Sequence, residues 1–277
     1  MMYKLTTLLL AVAAFTAFDT ARASVIFSDN FDSYNQNPLA GQGGWNEISS
    51  GSVAYPVNVV ADPTNSSNQV AALGGSSTSP TYSGEDLYNA LSAAVTYTTG
   101  ESLELDFKLN VSVAQASGGD YFIAFGSVNT ASSTSYYGRV FAVSDGASGF
   151  YLGLSATTST GTYGTTSLAL GTTYDISYVW NLAGGTGKDT FSLYVDGALY
   201  ETYTWAGTGT TPAQLATMIL RQGGSTSAPV LTLDDISAQL LVPEPSTPFL
   251  LLGATLAGAL WRRPGRAGTA ASQSLHG

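Results

Sequence analysis

Short runs of alternating apolar and polar residues, separated by clusters of Gly, Ser, Thr and Asp, fill the chain from Val25 to Leu240. A strand turns successive side chains to opposite faces, so this alternation marks half-buried strands, whereas a helix places its apolar residues three and four apart. Twelve segments fit the strand pattern: Val25 to Ser28, Val53 to Val60, Gln69 to Leu73, Ser102 to Val113, Tyr121 to Val128, Gly138 to Ser144, Phe150 to Ala156, Thr173 to Leu182, Thr190 to Asp196, Leu199 to Trp205, Ala216 to Arg221 and Val230 to Leu240. Within one of them, Tyr174, Ile176, Tyr178 and Trp180 fall on a single face, which predicts a row directed into a core. Phe191, Leu193 and Val195 alternate up to Asp196-Gly197, and the strand pattern resumes at Leu199. Asp-Gly between two such runs predicts a hairpin, because both central residues of a type I′ turn need positive φ. One piece, Glu85 to Leu91, reads as a helical connector, with Ser83 as its N-cap and acids in its first turn. Thr157 through Thr173 is dominated by Thr, Gly and Ser and predicts a loop around a weak strand. Many short strands without long helical periodicity make two packed antiparallel sheets the economical solution, so the expected fold class is an all-β sandwich.

The two ends carry a different pattern. One positive side chain within Met1 to Lys4 precedes an uncharged apolar run from Leu8 to Phe18, and Ala21-Arg22-Ala23 places small residues where a signal peptidase reads them. This predicts a secretory signal over residues 1–23, cleaved before Ser24. The run is too short to cross a hydrocarbon core about 30 Å thick. Near the other end, the uncharged stretch from Thr247 to Trp261 is followed by Arg262-Arg263, which predicts a hydrophobic helix held at the membrane with its basic end in the cytoplasm. The expected organisation is thus a signal peptide (1–23), one β domain (24–241), a C-terminal signal (242–266) and a polar tail (267–277).

Charge narrows the partners. The chain carries a net charge of −10, and seventeen of its 19 acids lie in the body, against only four basic residues there: Lys108, Arg139, Lys188 and Arg221. Such a surface repels nucleic acid and anionic headgroups, and it favours solubility outside the cell. Cysteine is absent, which excludes disulfides, thiolate metal sites and a cysteine nucleophile. The one histidine is His276, beyond the C-terminal signal. A body without histidine has no Ser-His-Asp triad, no histidine-ligated zinc and no histidine base for a lyase.

Two resemblances follow from particular residues. Val242-Pro243-Glu244-Pro245-Ser246-Thr247, the apolar run to Trp261 and the pair Arg262-Arg263 resemble the PEP-CTERM sorting signal. The resemblance implies export in a Gram-negative bacterium to the cell envelope, outer surface or extracellular matrix. It names signal peptidase and an exosortase as processing partners, a transient membrane association through the tail, and Pro243, Glu244, Pro245, Arg262 and Arg263 as the sorting residues. The body is similar in pattern to laminin-G and concanavalin A-like jelly rolls. That likeness is carried by Phe27-Ser28-Asp29-Asn30-Phe31-Asp32 with Gly44-Trp45, by Tyr194-Val195-Asp196-Gly197, and by Leu233-Asp234-Asp235-Ile236-Ser237. It implies a two-sheet jelly roll whose first and last strands lie side by side. It also implies one structural calcium ion, for which Asp29, Asp32, Asp234 and Asp235 are the candidate ligands, since calcium takes about six to eight oxygens. The alternative reading makes these aspartates turn caps at strand ends.

Candidate chemistry in the body is sparse. Glu104-Leu105-Asp106 is similar to the start of the Glu-x-Asp-x-x-Glu motif of jelly-roll glycoside hydrolases, but Leu109 stands where the proton-donating acid belongs. A retaining mechanism needs that second carboxylate about 5 Å from the first. Tyr136, Tyr137 and Arg139, with Tyr121, Tyr151 and Arg221 elsewhere, predict a sugar-stacking face with polar handles; the competing role for such tyrosines is half-buried strand packing. The expectation is an exported, non-enzymatic protein whose partner is a polysaccharide of the envelope or matrix, with no nucleic acid bound. A glycosidase or lyase and a purely structural coat protein are the alternatives.

Overall fold

The computed structural model describes residues 22–48, 56–74, 85–114, 121–127, 135–157, 161–205, 211–222 and 229–242. The signal segment up to residue 21 and the sorting residues Pro243, Glu244, Pro245, Arg262 and Arg263 lie outside the described residues. All of the described regular structure is β: β1 (Arg22–Asp29), β2 (Asn46–Glu47), β3 (Asn58–Ala61), β4 (Gln69–Leu73), β5 (Asp86–Thr96), β6 (Ser102–Val113), β7 (Tyr121–Gly126), β8 (Tyr136–Ser144), β9 (Gly149–Ser155), β10 (Thr162–Tyr163), β11 (Leu168–Ala169), β12 (Thr173–Asn181), β13 (Thr190–Val195), β14 (Ala198–Thr204), β15 (Gln214–Arg221) and β16 (Val230–Val242). They form two antiparallel sheets. The first runs β14-β13-β12-β6-β16-β4-β3, with β1 also on β16; the second runs β10-β9-β8-β7-β15-β5-β2, with β11 also on β9. This is the jelly-roll sandwich, and its first and last strands do pair, from Arg22 opposite Val242 to Asp29 opposite Ile236.

Alternation decides what each strand buries. Ile176, Tyr178 and Trp180 of β12 lie between the sheets and Tyr174 packs against them, while Leu103, Leu105, Phe107, Leu109 and Val111 of β6 are buried beside them. Phe191 stacks on Trp180 at 5.1 Å and on Tyr178 at 5.9 Å, and Trp205 meets Trp180 edge-on. Each such ring taken out of water contributes about 1.5–3 kcal/mol, and paired rings about 0.5–1.5 kcal/mol more. The β13–β14 hairpin turns at Asp196-Gly197 with φ of 50° and 77°, as the type I′ reading requires.

Two carboxylates fasten the loops at the sandwich ends, and each does so with the same kinds of donor. Buried Asp189 accepts the Trp180 indole N–H (2.9 Å), the Tyr97 hydroxyl (2.5 Å) and the backbone N–H groups of Ala183 and Gly185 (both 2.7 Å). Asp29 accepts the Trp45 indole N–H and the Tyr34 hydroxyl (both 2.7 Å) and the Phe31 N–H (2.9 Å). A buried charge persists only when donors surround it in this way.

The expected helix at Glu85 to Leu91 is instead the start of β5. Leu87, Leu91 and Val95 are buried at four-residue spacing, which imitates a helix. In the strand the same spacing is plain alternation, with Asn89 in the intervening position opposite Met218, and a bulge between Ala90 and Val95 faces Leu215 to Thr217. The Thr157 to Thr173 segment carries two short strands, β10 and β11, both paired to β9.

Candidate functional site

The outer face of the second sheet carries a small cluster separate from the main core: Tyr121, Ala124, Phe141 and Ile219, flanked by half-buried Tyr88, Tyr136 and Tyr163. Register explains why these residues meet. Tyr121 of β7 lies opposite Phe141 of β8, and Ile219 of β15 lies between Ala124 and Tyr88. The Tyr163 ring of β10 rests on Gly153, where a Cβ would come within 2.4 Å of it, and contacts Phe141 edge-on at 6.3 Å.

Tyr136 and Arg139 share this face although they stand at positions i and i+3, an odd spacing that plain alternation forbids. The cause is Gly138, at φ 61°, where β8 gains an extra residue against β7. A bulge of this kind re-aims the side chains on either side of it. Only glycine fits, because a Cβ there would stand 2.5 Å from the Tyr178 hydroxyl in the core below. The same bulge corrects the reading of Tyr137: it points inward, is buried, and packs on Trp205 at 6.5 Å.

Both arginines of the body converge on Tyr121. The guanidinium carbon of Arg139 lies 4.6 Å from the Tyr121 ring centroid and that of Arg221 lies 5.1 Å away. Contacts of this sort contribute about 0.5–2 kcal/mol each. Arg221 pairs with Asp86 at 2.6 Å, and Asp86 also accepts the Tyr136 hydroxyl at 3.4 Å. Arg139 donates Nε–H to the Tyr136 carbonyl at 3.2 Å. Burial holds the Tyr121 phenol well above its ordinary pKa and raises that of Tyr136 to about 12, despite the opposing pull of the arginines on both. Burial also lowers the pKa of Arg139, an effect that neighbouring Arg221 reinforces. Tyr151 is half-buried opposite Val143, further along the same two strands.

The first sheet presents a polar outer face with two shallow concavities. One, of about 230 Å³, is lined by Asp62, Asn65, Asn68, Lys108, Asn110 and Asp234 among others; the second, of about 350 Å³, includes Asp106, Lys108, Asp175 and Asp235. Lys108 borders both and pairs with Asp235 at 2.6 Å. Glu104 accepts Gln239 Nε2 (2.7 Å) and the Ser177 hydroxyl (3.2 Å), and Leu109 points into the core. The concavities therefore lie on the opposite sheet from the rings and arginines. We place the candidate site on the aromatic face, where half-buried tyrosine rings and cationic handles coincide; carboxylates dominate the other.

The four aspartates expected to share a calcium ion do not assemble into one site. Asp29 is occupied by Trp45, Tyr34 and Phe31, and Asp32 accepts Gln69 N–H at 3.1 Å. Asp234 accepts Asn68 Nδ2 at 2.8 Å, and Asp235, at φ 48° in a bulge of β16, turns to Lys108. Among the described residues no three carboxylates gather as an ion's ligands would. The pairing of β1 with β16 brings the backbones together, while the side chains go to protein donors.

Comparison with known proteins agrees with this architecture. Residues 241–263 match the PEP-CTERM protein-sorting motif. The chain is therefore an exported protein that is sorted to the cell surface and processed by an exosortase. No curated protein sequence matches it. Among solved structures, the chain is similar to the globular domain of T. cruzi calreticulin, at 12% identity and a TM-score of 0.51 over 85% of this chain and 94% of that one. It is similar to a sialidase, at 15% identity and a TM-score of 0.50, over 78% of this chain but 18% of the sialidase. An alginate lyase solved with an alginate trisaccharide shares 12% identity at a TM-score of 0.50, over 76% of this chain and 96% of the lyase. At such identities the likeness is one of fold, and function rests on the site.

Proposed function

We propose that the body is a non-catalytic glycan-binding module that holds the exported protein to polysaccharide of the envelope or matrix. The observation that carries this reading is the convergence, through the Gly138 bulge, of Tyr136 and Arg139 with Tyr121 and Arg221 on one outer face. Sugars present apolar C–H faces and a rim of hydroxyls, which rings and fixed hydrogen-bonding groups recognise together. Electrostatics favour binding over catalysis. A general base works best with a pKa near the operating pH, and burial keeps the phenols of Tyr121 and Tyr136 protonated far above neutrality. Glu85, whose pKa of about 7 would suit a base, is buried and directed at the Val57 N–H.

The test is a glycan array and a pull-down with polysaccharide from the producing organism, using the purified exported protein and Tyr136→Ala. Retention by wild type above a charge-matched control protein, weakened in the variant, supports the reading. No retention of either protein refutes it, and release of reducing sugar or unsaturated product would make the protein an enzyme instead.

A further inference from the structure

We infer that the ligand of this face is an acidic glycan, and that Arg139 receives its carboxylate or sulfate group; the inference rests on the glycan-binding reading above.

The body is strongly acidic, yet its only two arginines stand over one tyrosine ring. Their situations differ. Arg221 has Asp86 at 2.6 Å as a counter-charge. Arg139, a neighbour of that pair, forms no ion pair among the described residues, and the groups that set its protonation are Tyr121, Arg221 and Tyr136, none of them a carboxylate. Its one hydrogen bond there goes from Nε to the Tyr136 carbonyl, which leaves both terminal NH2 groups without a partner among the described residues. Partial removal of a guanidinium from water without a compensating anion is unfavourable. The contact with the Tyr121 ring offsets part of that cost but supplies no counter-charge and no acceptor for the terminal NH2 groups.

A bound anion supplies the missing partner. The guanidinium is planar, stays charged at any physiological pH and offers paired N–H donors spaced to match the two oxygens of a carboxylate or of a sulfate. With Nε engaged on the backbone, the orientation of the fork is set before binding, so less side-chain freedom is lost on capture. The neighbouring Tyr136 ring and hydroxyl provide the apolar and polar contacts for the sugar that bears the charge. Selectivity then comes from contrast. The surrounding acidic surface repels a polyanion everywhere except where Arg139 stands, so the anion is held in one register and the affinity falls as salt screens the contact.

Titration calorimetry of the full-length exported protein tests this with three soluble probes of similar length: a polyuronate, a sulfated but uronate-free glycan and a neutral glucan. The variants are Arg139→Gln, Arg139→Lys and, as a control charge on the other sheet, Lys108→Gln. Wild type should prefer an acidic probe at least about tenfold over the glucan. Arg139→Gln should lose about ten- to a hundredfold on the acidic probe with little change on the glucan, as expected for a hydrogen bond to a charged group. Arg139→Lys should recover part of that loss and Lys108→Gln should lose nothing. The uronate and sulfate arms identify the anion. If Arg139→Gln fails to fold by circular dichroism, Arg139→Lys and the salt dependence of the wild type decide the question. Equal binding of acidic and neutral probes, or equal loss of both on substitution, overturns the anionic assignment while leaving glycan binding intact. Failure of all three probes to bind overturns both.

Discussion

Stability should fall as the pH rises from mildly acidic to neutral, and one buried side chain accounts for most of the change. Glu85 immediately precedes β5 with 1% of its surface exposed, its Oε2 accepting the Val57 N–H at 2.6 Å and its carbonyl accepting the Gln222 N–H at 2.8 Å. Burial raises its pKa from 4.5 to about 7; the Val57 hydrogen bond opposes that rise, and the charges of Glu47 and Asp86 add to it. A carboxyl whose pKa is higher folded than unfolded binds its proton more tightly in the native state. Its contribution is therefore complete below pH 4.5 and is lost as the pH rises through 7. At roughly 1.4 kcal/mol per pH unit between those values, the loss is about 3 kcal/mol. For a domain of this size it lowers Tm by roughly 6–12 °C. Glu85→Gln keeps the shape and the acceptor for Val57 but has no proton to lose. Melting followed by circular dichroism from pH 4 to 8.5 should show wild type descending toward the variant's flatter curve or crossing below it. Parallel curves, with a constant gap in Tm across the range, would refute the assignment, because any other titrating group is common to both proteins.

Further predictions concern the bulge, the buried carboxylates and the aspartates. Gly138→Ala should cost about 2–3 kcal/mol, because it forces a side chain into positive φ and against the Tyr178 hydroxyl. Tyr178→Phe removes that hydroxyl, which has no partner among the described residues, and should by itself be neutral or stabilising by up to about 1 kcal/mol. Combining the two should recover part of the Gly138→Ala loss, as a double-mutant cycle in urea would read; strict additivity would contradict the clash. Asp189→Asn should destabilise by about 3 kcal/mol, because the amide puts donors where four protein donors converge; a loss under 1 kcal/mol would show that water replaces the carboxylate. Asp235→Asn should cost no more than about 1 kcal/mol, since its pair with Lys108 is exposed, and melting with millimolar calcium or with chelator should coincide. A calcium-dependent rise in Tm abolished by that substitution would restore a shared ion.

The residues show why the fold was readable and the site only partly so. Alternation in Tyr174 to Trp180, and Asp196-Gly197 between two alternating runs, placed β12, β13 and their core face correctly because period and turn chemistry are local properties. Local pattern misled in two places, in β5 and in β8. In β5 the four-residue spacing of Leu87, Leu91 and Val95 fits one face of a strand as well as of a helix, and in β8 the bulge at Gly138 sent Tyr137 inward while keeping Arg139 beside Tyr136. Nothing in the sequence marks Gly138 as a bulge among so many glycines; its necessity comes from Tyr178, which arrives from the other sheet. The calcium expectation placed the backbones of the terminal strands correctly but not the carboxylates, whose partners Trp45, Tyr34, Asn68 and Lys108 are supplied by the fold. Asp86, which holds Arg221, carried no sequence signal beyond the register of β5 against β15.

The sorting motif begins at residue 241, inside β16, which ends at Val242. A pull applied beyond Val242, by flowing medium or by a bound polymer, is therefore taken up first by this strand. β16 is flanked by β6 on one side along its length and by β4 and then β1 on the other. Extracting it means shearing two ladders of hydrogen bonds together, whereas an edge strand would peel away one rung at a time. Force on the end of β16 therefore enters the sheet at an interior strand, and the bulge at Asp235 is where the strand should yield first, since there the register with β6 is already broken.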